Sequence, residues 1–266
     1  MSLQNTKPKN TENSEQNPES RWFGYEQVSP EDKTRRVEGV FDSVARNYDL
    51  MNDLMSGGVH RLWKNHLIRK IRPRPDLDYL DVAGGTGDIA FRIRKKRGSG
   101  PDLSPITVCD LNPSMLEVGE NRAIDRGYLN DFRWVVGNAE NLPFEDARYD
   151  VYTIAFGLRN VTHIDHALAD AYRVLKPGGR FYCLEFSAVD DAVIAPLYDR
   201  FSFKVIPKIG RYVAKDEQSY QYLVESIRQF PSQPELAGRM KQAGFECVSY
   251  ENLSFGIAAI HSGVKV

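Results

Sequence analysis

The chain has 266 residues, 41% of them hydrophobic, and a formal net charge of −1. A chain of this size and composition can bury one sizeable core. The near-zero charge gives no broad attraction to polyanions, so we expect no nucleic-acid partner. The three cysteines are far apart and lack a Cys-x-x-Cys spacing, which argues against a disulfide framework and a zinc site. No metal is expected, and no apolar run approaches the roughly 20 residues that span a bilayer.

The first 20 residues, MSLQNTKPKNTENSEQNPES, include no aromatic residue. They cannot offset the entropy lost on ordering, so 1–20 is predicted to be a disordered tail and 21–266 a single domain. The tail has glutamates and no arginine before Arg21, unlike an amphipathic mitochondrial presequence. We therefore expect a bacterial cytoplasmic protein rather than one of the mitochondrial matrix.

Two helices are predicted before residue 79. The first begins at Pro30, because Ser29 is a good N-cap and proline is favoured at the first helical position. Its apolar stripe consists of Val37, Val40, Phe41, Val44 and Tyr48. The second spans about 59–71, where Trp63 and Leu67 lie on one packing face.

From Tyr79 the sequence alternates short apolar strands with helical stretches, which is typical of a doubly wound parallel α/β sheet. The predicted strands are 79–83, 106–110, 132–136, 150–156 and 180–186. The predicted helices begin at Gly87 and Pro113 and span about 165–175. These spacings indicate one α/β domain with a single central sheet.

The C-terminal third departs from this alternation. Residues 190–230 mix aromatic and basic side chains and are predicted to form a helical insertion. Ser232 and Glu235 have the spacing of a capping box, and the helix that they begin is expected to end at Gly244. Segments 245–251 and 257–265 are predicted to form an antiparallel pair of strands.

The segment LDVAGGTGD, residues 80–88, places a glycine-rich turn between a predicted strand and a predicted helix. Backbone N–H groups and the positive end of a helix then face a ligand, and glycine leaves room for it. Residues 85–90 fit the dinucleotide fingerprint GxGxxG/A, and Asp110 follows at a suitable distance for a ribose. A nicotinamide-dinucleotide site and a turn without a ligand both remain open at this point.

The acidic residues around this loop favour a different nucleoside. Asp81, Gly85 and Gly87 match the acid-x-Gly-x-Gly-x-Gly pattern of class I S-adenosylmethionine-dependent methyltransferases, except that Ala83 replaces the first glycine. A carboxylate at this place suits a cationic amino-acid ligand, whereas neighbouring carboxylates repel a pyrophosphate. Asp110 can accept both ribose hydroxyls; the alternative is a helix N-cap before Pro113.

Three longer motifs narrow the family. They are YDLMNDLMSGGVHRLW at 48–63, FGLRNV at 156–161 and RVLKPGGRFYCLEFS at 173–187. Together they resemble the ubiquinone/menaquinone biosynthesis C-methyltransferase family, and the resemblance runs from about Trp22 to the C-terminus. It implies a Rossmann-like class I methyltransferase fold: a seven-stranded, mostly parallel sheet with an antiparallel C-terminal hairpin, N-terminal helices and a helical substrate lid at about 190–230.

The resemblance also implies methyl transfer from S-adenosylmethionine to a ring carbon of a polyprenylated benzoquinol or of demethylmenaquinol. Segment 137–144, GNAENLPF, is similar to the loop that contacts adenine in this superfamily. The implied cofactor-binding residues are Asp81, Gly85, Thr86, Gly87, Asp110, Asn138, Ala139 and Ala155. Many relatives have serine at the position of Ala155, so the resemblance implies that one hydrogen bond to the cofactor is missing here, a loss of about 1 kcal/mol if water does not replace it.

The implied catalytic residues are Arg159, Asn160 and Tyr48. Arg159 would stabilise a phenolate oxygen or position a water, and the other two would orient the ring. An arginine is a poor base, so water, Asp49 and His163 are the candidates for the general base. Two alternatives stay open: Tyr48 as a core residue, and Arg159 as one half of a salt bridge that closes its loop.

The expected acceptor is a lipophilic quinol, whose tail needs an apolar groove that opens toward the bilayer. Lysines in segment 196–211 are predicted to give weak peripheral contact with the bacterial inner membrane. A homodimer or a quinone-biosynthesis complex is compatible with the family. Two other functions are retained as alternatives, a nicotinamide-dinucleotide-dependent oxidoreductase and a non-catalytic methyltransferase-like scaffold.

Overall fold

The computed structural model describes residues 22–44, 53, 56–98, 100, 103–187, 189 and 217–266. The predicted tail, the catalytic candidate Tyr48, Asp49, the membrane-contact segment 196–211 and most of the predicted lid lie outside these residues. The predicted domain boundaries therefore stay predictions. None of the described helices is long and apolar enough to cross a membrane.

A seven-stranded sheet forms the centre of the described part, and a two-stranded hairpin, β1 Trp22–Phe23 and β2 Glu26–Gln27, lies near its N-terminus. The strands of the large sheet are β3 Tyr79–Val82, β4 Ile106–Asp110, β5 Phe132–Val136, β6 Tyr149–Ala155, β7 Leu175–Phe186, β8 Glu246–Leu253 and β9 Ala258–Val264. Their order is β5-β4-β3-β6-β7-β9-β8. Strands β3 to β7 pair in parallel, whereas β9 is antiparallel to both of its neighbours. The predicted class I methyltransferase fold is confirmed.

Helices cover both faces of this sheet. They are α1 Pro30–Val44, α2 His60–Ile71, α3 Asp88–Arg97, α4 Pro113–Asp125, α5 Ile164–Val174, α6 Glu217–Gln229 and α7 Gln233–Gln242. A 3-10 turn spans Leu158–Asn160. One apolar cluster joins the sheet to α1, α2, α3, α4 and α6, and a second joins it to α5 and α7. Trp63 packs edge-on against Phe186 in the first cluster, as predicted for its helix face.

Most predicted boundaries agree with the structure to within one or two residues. Ser29 Oγ accepts a hydrogen bond from the Asp32 amide, and the capping box of Ser232 and Glu235 is present. Helix α6 lies in the predicted helical insertion. Strand β7 begins five residues earlier than predicted, because Leu175 pairs with Tyr149 before a shift in register. The Pro-Gly-Gly segment is thus an irregularity inside one strand rather than its boundary.

Candidate cofactor cleft

An open cleft with about 1070 Å³ of empty space lies where β3 and β6 are neighbours. The order of the parallel strands reverses at this point, and ligands of open α/β sheets bind there beyond the carboxyl ends of the strands. Helix α1 contributes Val37 and Phe41 to the opposite wall. The predicted residues that line the cleft are Asp81, Gly85, Thr86, Asp110, Asn138, Ala139, Ala155 and Asn160. The structure thus brings eight predicted residues from four segments together.

Asp81 lies in β3 and presents one unpartnered oxygen to this region. Its Oδ1 accepts a hydrogen bond of 2.7 Å from Thr153 Oγ1. Its Oδ2 is buried and has no hydrogen-bond partner of normal length and angle in the described part of the chain, although the Ala90 amide lies near enough to the Asp81 carboxyl to oppose the rise of its pKa. Burial raises the pKa of Asp81 to about 7, despite the hydrogen bond from Thr153. A buried oxygen of this kind is ready to accept a hydrogen bond from a cationic group of a ligand.

Asp110 joins the glycine loop to the end of β4. Its Oδ2 accepts from the Gly85 amide at 2.8 Å, and its Oδ1 accepts from the Asn112 amide at 2.9 Å. The N-cap of α4 is Asn112, whose side chain accepts from the Met115 amide, so the alternative role of Asp110 as that helix cap is wrong. Burial raises the pKa of Asp110 to about 6.

Three residues of the glycine loop are left-handed, and two of them, Ala83 with φ 49° and Gly85 with φ 50°, line the cleft. A Cβ atom on Gly85 would lie 2.9 Å from Met115 Cε, so a side chain there would push the end of the Met115 side chain aside and would also be strained by the positive φ. Gly87, with φ 81°, is the N-cap of α3, and it does not line the cleft. Ala83 adopts a backbone conformation that glycine favours, which explains why the sequence pattern has glycine at its position.

The loop after β5 forms the next part of the wall. Asn138 Oδ1 accepts a hydrogen bond from the Glu140 amide, and Ala139 is buried. Glu140 Oε1 in turn accepts from the amides of Thr162 and His163. These contacts fix the predicted adenine loop against the turn that follows β6.

Arg159 and Asn160 occupy different positions on that turn. Asn160 lines the cleft, whereas the side chain of Arg159 is buried beneath it and forms an ion pair of 2.6 Å with Glu185. Arg159 Nη1 also donates to the Phe156 carbonyl at 2.7 Å. This is the geometry of the alternative interpretation, a salt bridge that closes the loop. Two guanidinium nitrogens of Arg159, Nε and Nη2, are buried without a partner in the described residues.

Neither Lys64 nor Tyr222 was assigned to the site from the sequence. Lys64 lines the cleft from α2 and donates to Asp88 Oδ2 at 2.8 Å. Tyr222 of α6 donates to Asn160 Oδ1 at 3.2 Å, and its ring stacks on Phe23. A signal existed for Lys64, because it interrupts the apolar stripe on the buried face of α2. No comparable signal marks Tyr222.

The charge of the cleft follows from its acidic residues. Lys64 and Arg92 both contact Asp88, and although burial opposes them, they lower the pKa of that carboxyl to about 2. Five acidic residues and one lysine line the cleft; the acidic residues are Glu38, Asp81, Asp88, Asp110 and Glu140. Such a wall favours a ligand with net positive charge and disfavours a pyrophosphate.

The sequence matches the ubiE/COQ5 methyltransferase family model over residues 29–265. It is 56% identical to "2-methoxy-6-polyprenyl-1,4-benzoquinol methylase, mitochondrial" of Oryza sativa over 258 residues, which covers 92% of this chain and 88% of the relative. It is 54% identical to "Ubiquinone/menaquinone biosynthesis C-methyltransferase UbiE" of Brucella abortus, with 92% and 90% covered.

The described fold is similar to solved structures of much lower sequence identity. A SAM-dependent methyltransferase from Thermotoga maritima superimposes with a TM-score of 0.61 at 18% identity, covering 86% of this chain and 100% of that one. This likeness concerns the fold, because one fold supports many reactions.

Proposed function

Because the chain belongs to the ubiE/COQ5 methyltransferase family, we propose that it methylates a ring carbon of a polyprenyl-benzoquinol, with S-adenosylmethionine as the donor. The observation that carries this proposal is the unpartnered Asp81 Oδ2 beside the glycine loop. It suits the α-ammonium group of the donor's methionine part. The Asp110 carboxylate suits the ribose hydroxyls, and Asn138 and Ala139 suit the adenine.

The acceptor has to be in its reduced form. When bound, S-adenosylmethionine supplies an electrophilic methyl group on a sulfonium sulfur. A quinol that loses a hydroxyl proton becomes phenolate-like, and its ortho carbon then forms the new carbon–carbon bond while the carbon–sulfur bond breaks with its electron pair on sulfur. The ring proton leaves afterwards. An oxidised quinone lacks the hydroxyl and its ring carbon is too electron-poor to attack.

The three catalytic candidates have different support. Asn160 lines the cleft and can orient the ring. Arg159 lies beneath the turn rather than in the cleft wall, and its support is two buried donor nitrogens, Nε and Nη2, that have no partner in the described residues. For Tyr48 the support is its place in the first family motif, as it lies outside the described residues. The candidates for the general base are water, Asp49 and His163.

A dinucleotide-dependent oxidoreductase is disfavoured by the acidic cleft, in which a pyrophosphate would face Asp81 and Asp88. A non-catalytic scaffold is disfavoured by family membership together with the intact polar cleft. A second acceptor, demethylmenaquinol, has one observation in its favour, since the Brucella relative carries both ubiquinone and menaquinone in its name.

The proposed setting is the cytoplasmic side of a bacterial inner membrane, with weak peripheral contact through residues 196–211. A mitochondrial location is the alternative, because the relative from rice is named mitochondrial. A homodimer or a complex with other quinone-biosynthesis enzymes would deliver a lipophilic quinol without exposing its tail to water.

The test combines a binding and a turnover measurement on the full chain. Calorimetry should show that S-adenosylhomocysteine binds and that NADH does not compete. Anaerobic assays with chemically reduced short-tail acceptors should give a higher kcat/KM for the benzoquinol than for demethylmenaquinol. Binding of NADH in place of the thioether would overturn the donor assignment, and a clear preference for the naphthoquinol would overturn the acceptor.

A further inference from the structure

Lys64 is a buried cation at the wall of the cleft. Its side chain is 3% exposed, and its Nζ lies 2.8 Å from Asp88 Oδ2 and 5.7 Å from the centroid of the Phe156 ring. An ammonium group has three protons to donate. In the described part of the chain Asp88 accepts one of them, and no other acceptor contacts Nζ.

The cleft needs a cation if it is to hold an amino acid. An α-amino acid carries an ammonium and a carboxylate on one carbon, so an oxygen that receives the ammonium brings the carboxylate close to it. Asp81, Asp88 and Asp110 would repel that carboxylate. Among the described residues that line the cleft, Lys64 is the one with a positive charge.

We infer that Lys64 binds the α-carboxylate of the donor's methionine part, opposite the unpartnered oxygen of Asp81. This inference rests on the proposed function. Asp88 begins α3 directly after the glycine loop that follows the strand of Asp81. Its contact with Lys64 therefore holds the ammonium group beside the same loop, and the low polarity of the Phe156 ring strengthens the interaction with a carboxylate.

A purely structural role makes a different prediction. In that case the ion pair of Lys64 with Asp88 would simply join α2 to α3, and any loss of binding would be independent of the ligand's carboxylate. Arg92 provides the matched control, because its Nε donates to Asp88 Oδ1 at 2.9 Å. Arg92 does not line the cleft.

The experiment measures dissociation constants of two ligands for four proteins. S-adenosylhomocysteine carries the carboxylate, whereas 5′-methylthioadenosine lacks the whole amino-acid part. The proteins are wild type, Lys64→Met, Lys64→Arg and Arg92→Met. We expect Lys64→Met to raise the dissociation constant of S-adenosylhomocysteine at least about tenfold, as for a lost charge-assisted hydrogen bond. The dissociation constant of methylthioadenosine should stay within about twofold of the wild-type value. Lys64→Arg should keep most of the affinity, and Arg92→Met should resemble wild type.

Equal losses for both ligands in Lys64→Met, or the same loss in Arg92→Met, would overturn the inference. A wild-type protein that binds neither ligand would instead overturn the proposed function itself. If Lys64→Met does not fold, the wild-type protein still provides a test through decarboxylated S-adenosylhomocysteine, which keeps the amine. We expect it to bind at least about tenfold more weakly than the parent thioether; equal affinity would contradict a carboxylate site.

Discussion

The guanidinium of Arg159 and the carboxylate of Glu185 form a buried ion pair with an Nη1–Oε1 distance of 2.6 Å and side-chain exposures of 0% and 2%. Strands β6 and β7 create it, since Ala155 pairs with Leu184 and so places Glu185 beside the turn after β6. Burial raises the pKa of Glu185, although the charge of Arg159 opposes this. The pair holds the Phe156 carbonyl and, through it, the edge of the cleft.

The first prediction separates the structural and catalytic roles of this pair. Glu185→Met or Arg159→Met alone should lower the free energy of unfolding by about 3–5 kcal/mol, because each leaves an uncompensated buried charge or an empty partner position. The double variant should recover most of that loss. If Arg159 acts on the acceptor, the double variant will bind the donor yet have little turnover, as Arg159→Ala should.

Chemical denaturation and steady-state kinetics on the same samples provide the measurement. Wild-type turnover in a stable double variant would remove Arg159 from the mechanism.

The second prediction concerns Tyr222, whose hydroxyl donates to Asn160 Oδ1 while its ring stacks on Phe23 at 4.2 Å. Tyr222→Phe keeps the stacking and removes the hydrogen bond, so stability should fall by about 1 kcal/mol or less. The amide of Asn160 would lose its fixed orientation, and kcat should fall while the affinity for S-adenosylhomocysteine stays the same. Phe23→Leu is the control that removes the stacking alone; equal kinetic effects of both changes would contradict a role for the hydroxyl.

The third prediction is a pH dependence. Burial raises the pKa of Asp81 to about 7 in the folded chain, against an ordinary value of about 3.9. A carboxyl group whose pKa is raised by folding adds to the free energy of unfolding at pH values below its ordinary pKa. This contribution is lost as the pH rises from about 4 to about 7. The melting temperature of Asp81→Asn should therefore rise relative to that of wild type between pH 5 and pH 8. The expected rise is about 2–4 °C for each kcal/mol of unfolding free energy that wild type loses.

The affinity for a ligand with an ammonium group should change with pH in the opposite direction to the stability. A ligand ammonium favours the ionised form of Asp81, so wild-type affinity for S-adenosylhomocysteine should rise over the same range with release of protons. Calorimetry in buffers of different ionisation enthalpy counts these protons. Proton uptake would exclude Asp81 as the ammonium site.

The fourth prediction tests the packing of two loops at the cleft. A Cβ atom on Gly157 would lie 2.3 Å from Ala83 Cβ, so Gly157→Ala should cost about 1–3 kcal/mol through overpacking. Ala83→Gly removes the opposing methyl group and relieves a left-handed alanine. The two substitutions together should therefore recover stability, and a thermal-unfolding cycle that shows additive effects would refute the contact.

Much of the fold was predictable because each parallel strand is an apolar run bounded by turn residues. Three helix starts were also predictable, at Ser29, at Ser232 and after the glycine loop. The first backbone N–H groups of a helix need hydrogen-bond acceptors, and this need selects particular residues at the helix start. The hairpin of β1 and β2 was not predictable. Its strands have two residues each, and its stacking on Tyr222 depends on a residue about two hundred positions away.

The site was predictable where a motif and a strand end coincide, as at Asp81, Asp110 and Asn138. The burial of Arg159 was not, because its partner lies in another motif and the two meet only through the register of β6 and β7. The ion pair of Lys64 was not predictable from the sequence for a similar reason. Its pairing with Asp88 connects two helices that the sequence predicts separately.

Carbon methylation of a reduced acceptor can be measured directly in one experiment. The full chain is incubated anaerobically with methyl-deuterated S-adenosylmethionine and a short-tail benzoquinol precursor, and the product is fragmented in a mass spectrometer. We expect one labelled methyl group on a ring carbon with the reduced acceptor, and none with the oxidised acceptor. Label on a hydroxyl oxygen, or equal labelling of the quinone, would contradict carbon methylation of the quinol.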